Sequence, residues 1–117
     1  MGALENKVAI VTGASRGIGL AIAEAFAREG AHVTISGRKQ ETLAEAAAKC
    51  SHQPGKVLPV ACHVGRPAEI QRLVAITLRE FGKVDILVNN AGTNIAQEPV
   101  LQVDEAKFDK LIEINLK

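Results

Sequence analysis

The sequence predicts an α/β fold, a doubly wound parallel sheet with strand order 3-2-1-4. Three observations lead there. Short apolar runs rich in Val and Ile alternate with longer stretches whose apolar residues recur at helical spacing. The runs are nearly continuous, as in strands covered on both faces. Each is followed by a segment long enough to cross over, so that successive strands run parallel.

Taken in order, Lys7–Val11 reads as the first strand. Ile18, Ile22 and Phe26, with Ala21 and Ala25, stripe a first helix that Gly30 stops. The second strand, His32–Ser36, leads to a helix carrying Leu43, Ala46, Ala47 and Cys50 and ending at the Pro54-Gly55 turn. The third strand is Val57–Ala61. Its helix opens on Pro67, carries Ile70, Leu73, Val74, Thr77, Leu78 and Phe81, and stops at Gly82. Val84–Val88 reads as a fourth strand. A fourth helix is expected from Asp104, a good N-cap, with Phe108, Leu111, Ile112 and Asn115 on one side. No linker or repeat divides the chain, so residues 1–117 form one domain. In this order the fourth strand is an open apolar edge and the sheet is incomplete. Self-association through that edge or through the last helix is expected.

Composition narrows the function. The 117 residues carry 14 basic and 13 acidic side chains, a net charge of +1, without the basic stripe that nucleic acid or an anionic membrane requires. No apolar run approaches the roughly 20 residues that span a bilayer. The start, Met1–Lys7, lacks a signal-peptide layout, and a cytoplasmic location is expected. Cys50 and Cys62 have His52 and His63 nearby, but the spacing matches no usual zinc pattern. No metal and no disulfide are expected. There is no tyrosine and no tryptophan.

The chemistry is concentrated where strands end. After the first strand comes Thr12-Gly13-Ala14-Ser15-Arg16-Gly17-Ile18-Gly19, running into a helix. Glycines there let backbone amides approach a pyrophosphate, and the helix N-terminus adds free N–H donors and positive dipole. Ile18 follows Gly17 where a triphosphate-binding loop would need Lys, so nucleotide triphosphate hydrolysis is disfavoured. Asn89-Asn90-Ala91-Gly92 follows the fourth strand, and Ile112-Glu113-Ile114-Asn115-Leu116 lies near the end. Taken alone, the former is a strained turn and Asn115 an interior helical amide.

Together these three segments, each in its proper place, resemble the short-chain dehydrogenase/reductase family over the whole chain. The resemblance implies a Rossmann-type, dinucleotide-binding domain. It places coenzyme contacts at Gly13, Ser15, Arg16, Gly17, Ile18 and Gly19, and at Asn90, Ala91 and Gly92. It also makes Asn115 the helix-borne catalytic Asn. The family's catalytic Ser and Tyr-x-x-x-Lys pair, expected beyond this Asn, do not occur in these residues. The chain is therefore expected to be truncated before the catalytic part, with Asn115 functional only if that part completes it.

After the second strand the chain reads Ser36-Gly37-Arg38-Lys39, without the acid that would bond a ribose 2′-hydroxyl. Arg38, Lys39 and Arg16 suit a 2′-phosphate instead, and NADP(H) is preferred over NAD(H). At the end of the third strand, Cys62-His63-Val64 stands where many relatives carry Asp-Val beside the adenine. Val64 still offers its amide, and His63 a ring nitrogen or a stacking face. The expected function is the NADP(H)-binding portion of an oxidoreductase acting on a small carbonyl or alcohol. A non-catalytic NADP(H)-binding module and a chain acting only through association are the alternatives.

Overall fold

The computed structural model describes residues 2–63, 66–90 and 112–115, the last four through their backbone. Seven elements follow the expected alternation. They are β1 (Val8–Thr12), α1 (Gly17–Arg28), β2 (His32–Gly37), α2 (Gln40–Lys49), β3 (Val57–Ala61), α3 (Pro67–Phe81) and β4 (Ile86–Asn89). An eighth, β5 (Ile112–Asn115), completes a five-stranded parallel sheet of order β3-β2-β1-β4-β5. The predicted 3-2-1-4 arrangement is present within it.

Two expectations are corrected by β5. Residues 112–115 are a strand, not the end of a fourth helix, and β4 is not an open edge. Register pairs Ile86 with Ile112 and Asn89 with Asn115. The physical reason is the edge itself: unpaired N–H and C=O groups along β4 recruit a strand, and β-branched Ile112 and Ile114 suit that conformation. Self-association through a bare β4 thereby loses its basis. The helix expected over residues 104–111 lies outside the described residues.

Small shifts at strand ends also have causes. Asp85 Oδ2 accepts the Val8 N–H (2.9 Å) while the Asp85 N–H donates to the Val8 carbonyl (2.8 Å). A side chain here replaces a ladder bond, so β4 starts at Ile86, two residues later than expected.

Alternation along the strands divides the core into two layers. Ala9, Val11, Val33, Ile35, Ile86 and Val88 face α1 and α2, where they meet Ala23, Ala27, Leu43 and Ala46. Ile10, Val60 and Leu87 face α3 and pack on Ile70, Leu73 and Val74. The residues of α1 that turn inward are Gly19, Ala23 and Ala27, four apart, so its backbone lies close to the sheet. Helix α3 ends at Gly82, whose φ of 84° reverses the chain toward β4. Among the described residues no helix is long and apolar enough to cross a membrane.

The outer edge of β3 is protected. Val33 N–H donates to the Lys56 carbonyl and Cys62 N–H to the Gly37 carbonyl, so even-numbered residues of this strand face β2. By the period of two, Pro59 and Ala61 turn their backbone groups outward. Pro59 has no N–H to offer there, which suits an edge strand.

One polar pair crosses the α3 layer. The Thr77 hydroxyl lies 2.9 Å from both the Leu73 carbonyl and Thr34 Oγ1, and both threonines are fully buried. Thr77 donates to the carbonyl and accepts from Thr34. Thr77→Val should cost about 1–3 kcal/mol, because the Thr34 hydroxyl is left unpaired. Thr34→Val with Thr77→Val should recover part of that loss. Urea unfolding of the two variants against the parent measures both effects.

Candidate functional site

The winding of the sheet reverses between β1 and β4, and the candidate site lies at their carboxyl ends. Between Thr12 and α1 the chain turns through Gly13 (φ 62°) and Gly17 (φ 66°), left-handed conformations that glycine adopts without strain. The turn is fastened on two sides. Ala14 N–H donates to the Ser36 carbonyl (3.0 Å), tying it to β2. Asn90 Nδ2 donates to the Gly13 carbonyl (3.1 Å), tying it to the end of β4. The Asn90 backbone N–H donates to Thr12 Oγ1 (3.0 Å), which lies 3.4 Å from the Val88 carbonyl and 3.5 Å from Asn89 Oδ1.

Gly19 is buried beneath this knot. A Cβ there would stand 2.4 Å from the Gly13 carbonyl oxygen and 2.5 Å from Asn90 Nδ2. A Cβ on Gly17 would meet nothing within 4 Å, so the outer side of the turn is open. Helix α1 begins there with Arg16 as N-cap, no side-chain cap and no acid in its first turn. Arg16 is exposed, Ser15 half-buried, and Ile18 projects outward at 69% exposure. An open cradle, a helix N-terminus and a nearby cation fit the phosphates of a nucleotide.

Arg38 and Lys39 stand exposed between β2 and α2, at the neighbouring strand end. Register sets Gly37 beside Ala61, which brings the tip of β3 alongside. Side chains hold that tip from both layers. Gln40 Oε1, on α2, accepts the Ala61 N–H (3.1 Å). Arg72, on α3, donates through Nη2 to the Ala61 carbonyl. Glu69 Oε1 accepts the His63 N–H (3.4 Å), and Glu69 Oε2 pairs with Arg72 Nε (3.2 Å). His63 is half-buried. Next to it, Cys62 Sγ donates to the Glu69 carbonyl (3.4 Å). The hydrogen bond from Arg72, then that from the His63 amide, hold the Glu69 carboxyl below its usual range.

The structure thus brings Gly13, Ser15, Arg16, Gly17, Ile18, Gly19, Arg38, Lys39, His63 and Asn90 to one end of the sheet. Val64, Ala91 and Gly92 lie outside the described residues. Asn115 ends β5 in register with Asn89, on a strand rather than the helix expected for it. Nothing in the sequence marks Gln40, and the only signal for Glu69 and Arg72 is their three-residue spacing. Ser36 Oγ is fully buried with no hydrogen-bond partner among the described residues. Among those residues no three His, Cys, Asp or Glu side chains gather as metal ligands would.

A glycine turn at the winding reversal of a parallel sheet defines a nucleotide-binding protein of the doubly wound α/β class. Comparison makes this specific. The family model for short chain dehydrogenase matches residues 7–117, and the chain belongs to that family. It is 45% identical over 114 residues to the short-chain dehydrogenase/reductase SDRA of Arabidopsis thaliana, covering 97% of this chain and 45% of that protein. It is 46% identical to dehydrogenase/reductase SDR family member 4 of Oryctolagus cuniculus, covering 97% and 44%. The chain thus spans less than half the length of these relatives. Among solved structures, a hydroxysteroid dehydrogenase from Escherichia coli superposes with a TM-score of 0.83 at 26% identity, over 96% of this chain and 55% of that one. The L-sorbose reductase of Gluconobacter frateurii, complexed with NADPH and L-sorbose, superposes at 0.73 with 48% identity, over 80% and 35%. The family binds nicotinamide cofactors.

Both cysteines are free and buried, and burial pushes each thiol above its usual value, with Glu24 adding to the effect at Cys50 and Glu69 at Cys62. A raised native value means that stability from these groups is full below the unfolded value near 9 and is lost as pH rises above it. At pH 8.5, iodoacetamide should therefore label neither cysteine at an appreciable rate in the folded chain and both in urea, as read by mass spectrometry.

Proposed function

We propose that this chain is the NADP(H)-binding portion of an oxidoreductase that moves a hydride between nicotinamide and a small carbonyl or alcohol. The observation that carries the reading is the open glycine turn flanked by Arg16 and Arg38, with no acid after β2 before Glu41. The fit is physical. Gly17 leaves the outer side of the turn open for a pyrophosphate against the α1 amides, Gly19 lets the turn seat on Gly13 and Asn90, and guanidinium forks match the oxygens of a 2′-phosphate. Arg16 and Arg38 supply them from adjacent strand ends, with Lys39 beside them. Val64, Ala91 and Gly92 belong to the same proposed set, with His63 at the adenosine end.

When bound, the nicotinamide supplies the hydride donor or acceptor. These residues bind and orient it but hold no phenol to protonate a substrate oxygen, since the 117 residues include no tyrosine. Asn115 acts only alongside groups these residues do not supply.

Two experiments test the proposal. In calorimetric titration the chain should bind NADPH more tightly than NADH. Arg16→Ala with Arg38→Ala should weaken NADPH about tenfold or more while leaving NADH nearly unchanged, because bonds to a charged group contribute about 1.5–3 kcal/mol each. Equal affinities in the parent would overturn the cofactor preference. For turnover, NADPH and a panel of ketones and aldehydes should show no loss of nicotinamide absorbance above the protein-free control. Reduction that Gly17→Asp abolishes would instead reveal a proton donor within these residues.

A further inference from the structure

We infer that Gln40, Glu69 and Arg72 are positioning residues that set the adenosine end of the site. This rests on the nucleotide-binding reading above. None of the three belongs to the glycine turn, and each acts through the tip of β3.

The tip has unusual support. Ala61 lies on the outward side of a strand that forms one edge among the described strands, where its backbone N–H and C=O have no ladder partner among the described residues. Both are taken by side chains, the N–H by Gln40 from one helical layer and the carbonyl by Arg72 from the other. Glu69 then fixes the next turn by accepting the His63 N–H, while the His63 carbonyl accepts the Arg66 N–H (3.1 Å). Glu69 and Arg72 brace each other through an ion pair of 3.2 Å. Edge protection alone needs no such arrangement, since Pro59 already withholds a donor two residues earlier.

What the bracket holds is the boundary with the cationic turn. Gln40 is the first residue of α2, two beyond Arg38. Its bond to Ala61, and that of Cys62 N–H to the Gly37 carbonyl (2.8 Å), join the turn bearing Arg38 and Lys39 to the loop bearing His63. A 2′-phosphate on Arg38 would place its adenosine across this junction. Loosening the junction moves both walls relative to each other and leaves the glycine turn, fastened separately by Asn90 and Ser36, undisturbed.

The test compares Glu69→Ala, Glu69→Gln and Arg72→Ala with the parent chain. Calorimetry with NADPH and with 2′,5′-ADP reads binding, and hydrogen exchange reads the loop. Glu69→Ala and Arg72→Ala should weaken NADPH and 2′,5′-ADP by the same factor, about three- to tenfold. Exchange of the His63 amide should accelerate, while that of the Asn90 amide stays as in the parent. Glu69→Gln keeps an acceptor for the His63 N–H and should retain most of the affinity, a rescue that a loss of charge alone would not give. Parent-like affinity in both alanine variants, with the parent binding tightly, overturns the inference and leaves the nucleotide-binding reading intact. An equal acceleration at Asn90 overturns it too, by showing general loosening. No binding of NADPH by the parent overturns both readings together.

Discussion

The Thr12 hydroxyl and the Asn90 amide make the connection on which the site depends. The two residues are 78 positions apart in sequence and meet where the sheet changes its direction of winding. Doubly wound sheets leave a crevice there because the chain departs to opposite faces from neighbouring strands. Without a brace, the ends of β1 and β4 would be free to separate, and the glycine turn would have no fixed floor. One side chain and one backbone group of Asn90 provide that floor, the first on Gly13 and the second on Thr12. Gly19 is required beneath them because no Cβ fits. Rigidity below and openness above Gly17 then follow from the same few contacts.

The layers behind the site follow from side-chain size. Helix α1 turns only Gly19, Ala23 and Ala27 inward, so its first turn can approach the sheet as closely as the glycine turn demands. Helix α3 uses Ile70, Leu73 and Val74 and therefore stands on larger side chains. Its reach over the sheet lets Glu69 and Arg72, in its first two turns, touch the β3 tip. Backbone packing thus sets which helix can present long polar side chains to the strand ends.

Much of this was legible in the sequence. Parallel strands covered on both faces are nearly continuous apolar runs, so β1 to β4 are visible without alternation, and Pro67 in the first turn and the C-cap Gly82 mark α3. The glycine spacing was legible because Gly13 and Gly17 take left-handed backbone angles that glycine adopts without strain, and Gly19 sits where no Cβ fits. Segment 112–115 was not, since four residues satisfy both helical and extended spacing, and an open neighbouring edge decided between them. The bracket around Ala61 was hidden for a different reason. It joins Gln40 and Arg72 to a backbone far from each in sequence, and surface Gln, Glu and Arg residues carry no pattern that announces such a bond.

The protected edge at β3 has a consequence for how this sheet can grow. Pro59 offers no donor and Ala61 is already engaged on both its backbone groups, so a strand arriving from that side finds little to pair with. Among the described strands, β5 lies at the other margin. The sheet therefore has a polarity of assembly: one margin lacks a donor at Pro59 and is capped at its tip by side chains of its own helices, which turns additions, whether from the same polypeptide or another, toward the opposite flank.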